Sequence, residues 1–376
     1  GELNDDPFVP ISPAARALVA QHGDETPVAW IGRDRRYGEK LATPDITIAD
    51  LIGEIDPVKV AEGRYLADES TIHYGLVPRH NRGIFALNEL PDLAERIQVG
   101  LLNILEERDV QIRGYTVRLP LDLYVVASAN PEDYTSRGRI ITPLKDRLGS
   151  QIRTHYPRTL EDEMAIMRQE RTRFEAIDGA PALEEPEFML ELVAELSHLA
   201  RRSPEISQRS GVSVRVSITN LEALLANALK RAVRLGEPSG APRVSDLGAL
   251  LPSTTGKIEL ETLGDETPEE RVVDRLLSKA LYNVFGRHVD VDELDEVVMA
   301  FESGLVVETG ERVASREYVR WARETPGLSQ AVARLGVGES PAAIASAVEF
   351  LLEGLHLHRR LNKDRGAPGG GGVYRR

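Results

Sequence analysis

The sequence predicts an α/β fold in which a parallel sheet fills the first 157 residues and two helical regions follow. Three observations carry this. Short apolar runs rich in β-branched and aromatic residues alternate with helical patterns through the first part of the chain. Those runs are apolar throughout instead of alternating, as strands covered on both faces of a parallel sheet are. After Tyr156-Pro157 the strand signals stop and helix-start signals take over.

The expected strands are Val28-Ala-Trp-Ile31, Gly83-Ile-Phe-Ala-Leu87, Leu123-Tyr-Val-Val-Ala127 and Gln151-Ile-Arg-Thr154. Val110 to Leu119 reads as a hairpin, two alternating runs about Gly114. In the helical part, Thr159 with Asp162 resembles a capping box, Pro186 opens a helix at Phe188, and Ser217 or Thr219 opens one at Leu221. Thr267-Pro-Glu-Glu270 combines three helix-start preferences and sets a boundary near 263. Four further helices are expected, at Pro268 to Phe285, Asp290 to Glu302, Arg316 to Arg323 and Pro341 to Leu361, before a flexible tail from Gly366 to Gly372. The expected domains are therefore 1–157, 158–262 and 263–376, with no internal repeat.

With 376 residues, at about 150 per domain, the chain is too long for a lone binding module, and 41% hydrophobic with 28% charged residues excludes disorder throughout. Its 46 Lys and Arg against 60 Asp and Glu leave a net charge of −14. A general nucleic-acid surface needs the opposite balance, so nucleic acid is not expected as the primary ligand. Zero cysteines exclude disulfides, thiolate zinc and a cysteine nucleophile. No apolar run approaches a membrane span and GELNDDPF has no signal pattern, so the expectation is a cytoplasmic protein without membrane contact.

The chemistry concentrates where strands end. The run Gly83 to Leu87 finishes in Asn88-Glu89, although strand stability asks for no such pair. At the carboxyl edge of a parallel sheet these residues face the ligand crevice, where an acidic pair can orient Mg²⁺ and polarise an attacking water. The next strand ends in Asn130, placed to present an amide to a γ-phosphate. Arg147, ending Ile141-Thr-Pro-Leu-Lys-Asp-Arg147, could reach a neighbouring subunit, and Arg215 in Gly211-Val-Ser-Val-Arg-Val-Ser217 opens a helix in the second domain. Each signal is commonplace alone; their order is not. The histidines show no metal spacing, Asp290-Val-Asp-Glu-Leu-Asp295 lacks the glycine and distal Glu of a calcium loop, and no Gly-x-Ser-x-Gly elbow occurs.

This order resembles the AAA+ ATPases, and Lys40 to Pro157 is similar to the branch holding the magnesium chelatase ATPase subunit and the MoxR-like ATPases. Leu41-Ala-Thr-Pro-Asp-Ile-Thr-Ile-Ala-Asp-Leu-Ile-Gly53 resembles the second helix region of that family, Pro57 to Val77 its insert, Pro78-Arg-His-Asn-Arg-Gly83 the approach to the Walker B strand, and the hairpin the one preceding sensor 1. The resemblance implies an AAA+ P-loop NTPase-like sheet with a helical lid and a C-terminal helical domain. It implies ATP and Mg²⁺ as cofactors, Glu89 as Walker B base, Asn130 as sensor 1, Arg147 as arginine finger and Arg215 as sensor 2. It also implies a homo-oligomeric ring, commonly a hexamer, and a partner with a von Willebrand factor A domain, working in protein remodelling or metal insertion. No residue marks a porphyrin site, so a MoxR-like chaperone role ranks above chelation.

Two departures qualify the expectation. Asn88 stands where the family has Asp, keeping an oxygen for an indirect Mg²⁺ contact but losing a charge, which predicts weaker metal binding or slower turnover. And no Gly-x-x-x-x-Gly-Lys-[Ser/Thr] occurs; Gly32-Arg-Asp-Arg-Arg-Tyr-Gly-Glu-Lys40 has the wrong spacing and lacks the hydroxyl. The sequence therefore reads as N-terminally incomplete and, as given, inactive alone. A non-hydrolysing assembly or scaffold subunit of the same fold is the alternative, and DNA translocation is disfavoured by the charge. The missing strand would lie between those ending at Asn130 and starting at Gln151, so residues 1–376 alone are expected to be destabilised or to aggregate and an upstream P-loop segment to rescue them. A cooperative, high-temperature melt of residues 1–376 alone would count against this.

Overall fold

The computed structural model describes residues 3–56, 58, 61, 71–106, 110–112, 115–117, 119–130, 138–173, 179–207, 210–261, 268–365 and 371–376. The chain forms two compact units, Gly1–Arg153 and Thr154–Arg376.

In the first unit, β1 (Tyr37–Leu41) is followed by the antiparallel pair β2 (Gly53–Ile55) and β3 (Ile72–Tyr74), then β4 (Gly83–Asn88), the hairpin β5 (Val110–Ile112) and β6 (Tyr115–Val117), and β7 (Leu123–Ala127). Strands β1, β4 and β7 make a parallel sheet with β4 in the middle, pairing Leu41 with Asn88 and Leu87 with Ala127. Gly83 lets β4 pass close to the chain entering β1, since a Cβ there would stand 2.2 Å from the Arg36 carbonyl oxygen. One face packs Phe85 and Leu87 onto Ile97, Leu101 and Ile104 of the Glu95–Glu106 helix and its neighbours. The other shows Tyr37, Leu41, Ile84, Tyr124 and Val126 at 43 to 70% exposure. The amino-terminal segment is tied beneath the strands: the Asn81 side chain donates to the Asn4 carbonyl at 2.7 Å and accepts from the Asp122 amide at 2.8 Å.

Several expectations change here. Val28–Ile31 and Gln151–Thr154 are not strands; both lie outside the three-strand order, and Trp30 and Ile152 are 98% and 87% exposed. Apolar content without a neighbouring strand to complete the ladder does not make a strand. The strand flanking β4 opposite β7 is instead β1, most of it within the charged Gly32–Lys40 string and its end at Leu41. Only Ile48–Leu51 of the expected second helix region is helical, opened by a Thr47–Asp50 capping box. Much of the Pro57–Val77 insert, with Gly114, Pro131, Glu132 and Thr267, lies outside the described residues.

The second unit is helical, with small additions from β8 (Ala182–Leu183) paired to β9 (Ser239–Gly240) and from β10 (Val307–Glu308), β11 (Asn362–Arg365) and β12 (Gly372–Arg375). The Thr159 hydroxyl accepts from the Asp162 amide, as its spacing predicts. The Arg215 helix runs Val214–Leu235, capped by Ser213, so it starts earlier than Ser217 or Thr219. The boundary near 263 does not separate compact units. Phe188 of the Glu187–Arg202 helix stacks on Phe350 of the Pro341–Leu357 helix at 4.4 Å, and one core runs from Met164 to Tyr374. Gly354 lets the Glu269–His288 helix approach the Pro341–Leu357 helix as well, because a Cβ there would meet the Phe285 ring at 1.9 Å. Gly366–Gly370 of the tail lies outside the described residues, but its end is β12, with Tyr374 buried and hydrogen-bonded to Glu353.

Buried ion pairs lock the unit. Glu163 has no exposed surface, yet accepts from Arg201 at 2.6 and 2.8 Å and from Ser217 at 2.5 Å. Burial pushes its carboxyl up, but the hydrogen bonds from Arg201 and Ser217 and the charges of Arg201 and His198 outweigh that and hold it below the ordinary value of 4.5. A carboxyl lowered by folding stabilises the fold above its unfolded pKa, and that contribution is lost as pH falls through the folded one. Glu163→Gln should cost roughly 3 to 5 kcal/mol at pH 7, because Arg201 is left buried without its partner. Urea melts between pH 7 and 3 should show the deficit begin to narrow below about pH 4.5, where the unfolded chain protonates, and go on narrowing toward the lowered folded value; a pH-independent deficit would refute the assignment.

Candidate functional site

The parallel register brings the carboxyl ends of β1, β4 and β7 to one edge of the sheet. β4 ends in Asn88, and the chain turns at Glu89 with φ 55° and ψ 49°, a left-handed conformation that a non-glycine residue adopts at a cost. Pro91 then opens a short 3₁₀ turn at Leu90–Asp92. The turn is held to the chain leaving β7: the Glu89 amide donates to Ser128 Oγ at 3.2 Å, the Leu90 amide to the Ser128 carbonyl at 2.9 Å, and the Ser128 amide to the Leu87 carbonyl at 3.0 Å. Asn130 follows two residues later, exposed on the same strand exit.

Sequence reasoning missed two participants. The Asn88 amide donates through Nδ2 to Glu39 Oε1 at 2.5 Å, and Ser128 Oγ donates to Asn88 Oδ1 at 3.3 Å. Glu39 was concealed in the string set aside as a false phosphate loop; its strand position in β1 would have put it on the face shared with Leu41 and, by register, with Asn88. The site thus gathers the Glu39 carboxylate, the Asn88 amide and the Ser128 hydroxyl, with Glu89 next along the chain and its backbone amide on Ser128. Carboxylate, amide and hydroxyl oxygens are the donor set a hard cation such as Mg²⁺ takes, either directly or through water.

Arg147, 28% exposed, ends the Thr142–Arg147 helix, forms an ion pair with Glu106 and donates to the Pro143 carbonyl at 2.9 Å. Arg215 belongs to the second unit, exposed in the first turn of its helix. A cleft of about 660 Å³ lined by Arg33, Arg36, Arg82, Tyr37, Ile84 and Tyr124 opens at the amino ends of the same three strands, away from Asn88 and Glu89. No group of metal-ligating His, Cys, Asp or Glu is found among the described residues, and none of their helices is long and apolar enough to cross a membrane.

The strained turn should carry a measurable cost. Glu89→Gly is expected to leave stability unchanged or raise it by up to about 1 kcal/mol while removing the carboxylate, whereas Glu89→Val should lower it. Denaturant melts of the two variants test this, and destabilisation by the glycine would show that the side chain, not the turn, holds this corner.

Residues 60–150 match the sigma-54 interaction domain family. The chain is 27% identical over 117 residues to the acetoin dehydrogenase operon transcriptional activator AcoR of Bacillus subtilis, covering 31% of this chain and 19% of that protein. It is 26% identical over 201 residues to the uncharacterized protein YeaC of Bacillus subtilis, covering 50% and 59% respectively. Among solved structures, NtrX from Brucella abortus aligns at TM-score 0.39 and 18% identity over 67% of this chain and 53% of that one. A complex of the magnesium chelatase subunits BchI and BchD aligns at TM-score 0.29 and 18% identity, over 65% and 73%. TM-scores below 0.5 mark distant likeness only. The chain spans less than two thirds of either curated relative. The family match takes in β4, with Asn88-Glu89 at its end, and the neighbouring β7, within the part of the chain whose sequence resembles the AAA+ ATPases.

Proposed function

We propose that the chain belongs to a ring, commonly hexameric in this class, that couples ATP binding and hydrolysis to protein remodelling or metal insertion with a von Willebrand factor A domain partner, a MoxR-like remodelling role ranking first. The observation that supports this best is Glu89, held in a strained turn at the carboxyl end of the central strand and hydrogen-bonded to the exit of the neighbouring one. That is where a general base for an attacking water belongs in an open parallel sheet. Asn130 follows on that neighbouring exit as the residue that senses the γ-phosphate, and Asn88 faces the metal's water shell. Bound Mg²⁺ would neutralise phosphate charge. Arg147 is assigned to the neighbour's nucleotide and Arg215 to sensor 2 on the sequence resemblance. Among the described residues β7 is an edge of the parallel sheet, where a further strand can pair, and the open apolar face with Tyr124 and Val126 exposed suits a covering helix, together the strand and helix that carry a phosphate loop.

Two features favour a second reading, a subunit of the same fold that binds partners, with or without nucleotide, and does not hydrolyse it: Asn88 in place of a carboxylate, and Arg147 engaged by Glu106.

Steady-state ATPase assays of the full-length protein separate the two. Glu89→Gln should lower kcat about 100-fold or more while nucleotide binding persists, and Arg147→Ala should lower it comparably. Mixing the two inactive variants should recover part of the rate, since some interfaces then pair an intact Glu89 with an intact Arg147. Turnover that survives Arg147→Ala but not Glu89→Gln would rule out the shared site, and nucleotide binding without turnover in the unsubstituted protein would establish the second reading.

A further inference from the structure

The family pattern asks for a carboxylate at position 88, and this chain has an amide; the structure shows what stands beside it. Glu39 on β1 and Asn88 on β4 point to the same side of the sheet at its carboxyl edge, with Asn88 Nδ2 2.5 Å from Glu39 Oε1. A carboxylate can only accept, so this bond fixes which end of the amide faces which way: Nδ2 toward Glu39, Oδ1 toward Ser128 and the edge beyond. Glu39 is itself steadied, because the Tyr37 hydroxyl donates to its other oxygen at 3.1 Å. That hydrogen bond to Glu39 raises the Tyr37 hydroxyl above its ordinary value of 10.0, as a phenol donating to an ionised acceptor should be. The pair is bonded across two strands in fixed register, so its geometry does not depend on a loop.

We propose that Glu39 is a positioning residue of the nucleotide site, holding the Asn88 amide with its oxygen toward the metal's water shell and restoring to that strand end the negative charge absent at position 88. The proposal rests on the ATPase reading above. It makes Glu39 and Asn88 one unit distributed over two strands, equivalent in charge to a single carboxylate on one. A charge-assisted bond of this kind orients the group that the metal's water meets, which is how outer-shell partners tune metal affinity.

The test is a Mg²⁺ titration of binding of a fluorescent, non-hydrolysable ATP analogue by the full-length protein. Glu39→Gln should raise the Mg²⁺ concentration at half-saturation about 10-fold, with affinity at saturating Mg²⁺ within about twofold of the unsubstituted protein. Asn88→Asp alone should also impair the site, because it sets two carboxylates within hydrogen-bonding distance of each other. The double variant, Glu39→Gln with Asn88→Asp, should recover the original Mg²⁺ requirement, an exchange that a merely structural role for Glu39 would not produce. An unchanged requirement in Glu39→Gln, a lowered one in Asn88→Asp alone, or no recovery in the double variant would overturn the proposal while leaving the ATPase reading intact. Absence of Mg²⁺-dependent nucleotide binding in the unsubstituted protein would overturn both.

Discussion

The constraint on which the site depends is the parallel register of three strands. In a parallel sheet every strand ends on the same edge, so pairing Leu41 with Asn88 and Leu87 with Ala127 gathers polar residues far apart in sequence without any side chain having to search. Glu39, Asn88, Glu89 and Ser128 meet because backbone hydrogen bonds align the strands that carry them. A slip of one residue in either pairing would turn those side chains to the opposite face. The apolar side of β4, with Phe85 and Leu87 at 1% and 2% exposure, works against such a slip, because it would put both rings and branches into water and bury Asn88. Site geometry and core packing are therefore one requirement seen from two faces of the same strand.

The helical unit depends on a different device. Arg231 and Arg243 are 2% and 0% exposed, and each has a carboxylate beside it although its Nε has no hydrogen-bond partner among the described residues: Arg231 meets Asp246 and the Ala241 carbonyl, while Arg243 meets Ser315 and the Val313 carbonyl with Glu237 at 3.8 Å. Glu349, from a helix about a hundred residues further along, accepts from the Ser245 amide at 2.7 Å and from the Tyr318 hydroxyl. Buried charges of this kind add little net stability over apolar packing, but removing one partner is costly. Their effect is to make the regions before and after 263 interdependent, which is why a boundary that capping signals predict does not become a boundary between compact units.

What was legible in the sequence follows from how local each signal is. β4 and β7 announce themselves as continuous apolar runs, although each exposes one face through Ile84, Tyr124 and Val126. Thr159 caps its helix through an amide three residues away, and the β5–β6 hairpin closes on itself. The features that sequence reading lost are long-range. β1 is a charged, exposed edge strand made by its register with β4, while Val28–Ile31 has strand composition and no strand neighbour among the described residues. The tail ends in β12 because Tyr374 finds Glu353 and the strand pairs with β10, neither of which a glycine-rich composition reveals. The Glu39–Asn88 bond spans 49 residues and the Arg147–Glu106 pair 41, distances at which no spacing rule operates. Candidate residues were readable as types at strand ends; their partners were not.

That last pair bears on how a shared site can operate. Arg147 is 28% exposed and is held within its own subunit by Glu106 and the Pro143 carbonyl, while its buried Nε has no hydrogen-bond partner among the described residues. If it serves a neighbour's nucleotide, it must exchange one carboxylate for phosphate oxygens, and Glu106, 53% exposed, must be returned to water. A half-exposed carboxylate gives up an ion pair at small cost, since such pairs contribute about 1 kcal/mol or less. A triphosphate offers more charge and more acceptors, so the exchange favours the neighbour once nucleotide is present and favours Glu106 once it is gone. The same side chain would then report nucleotide occupancy across the interface to the Glu95–Glu106 helix that packs against Phe85 and Leu87 of the site's own central strand. Glu106 therefore holds Arg147 only weakly, so the pair favours the second reading without excluding the proposed shared role.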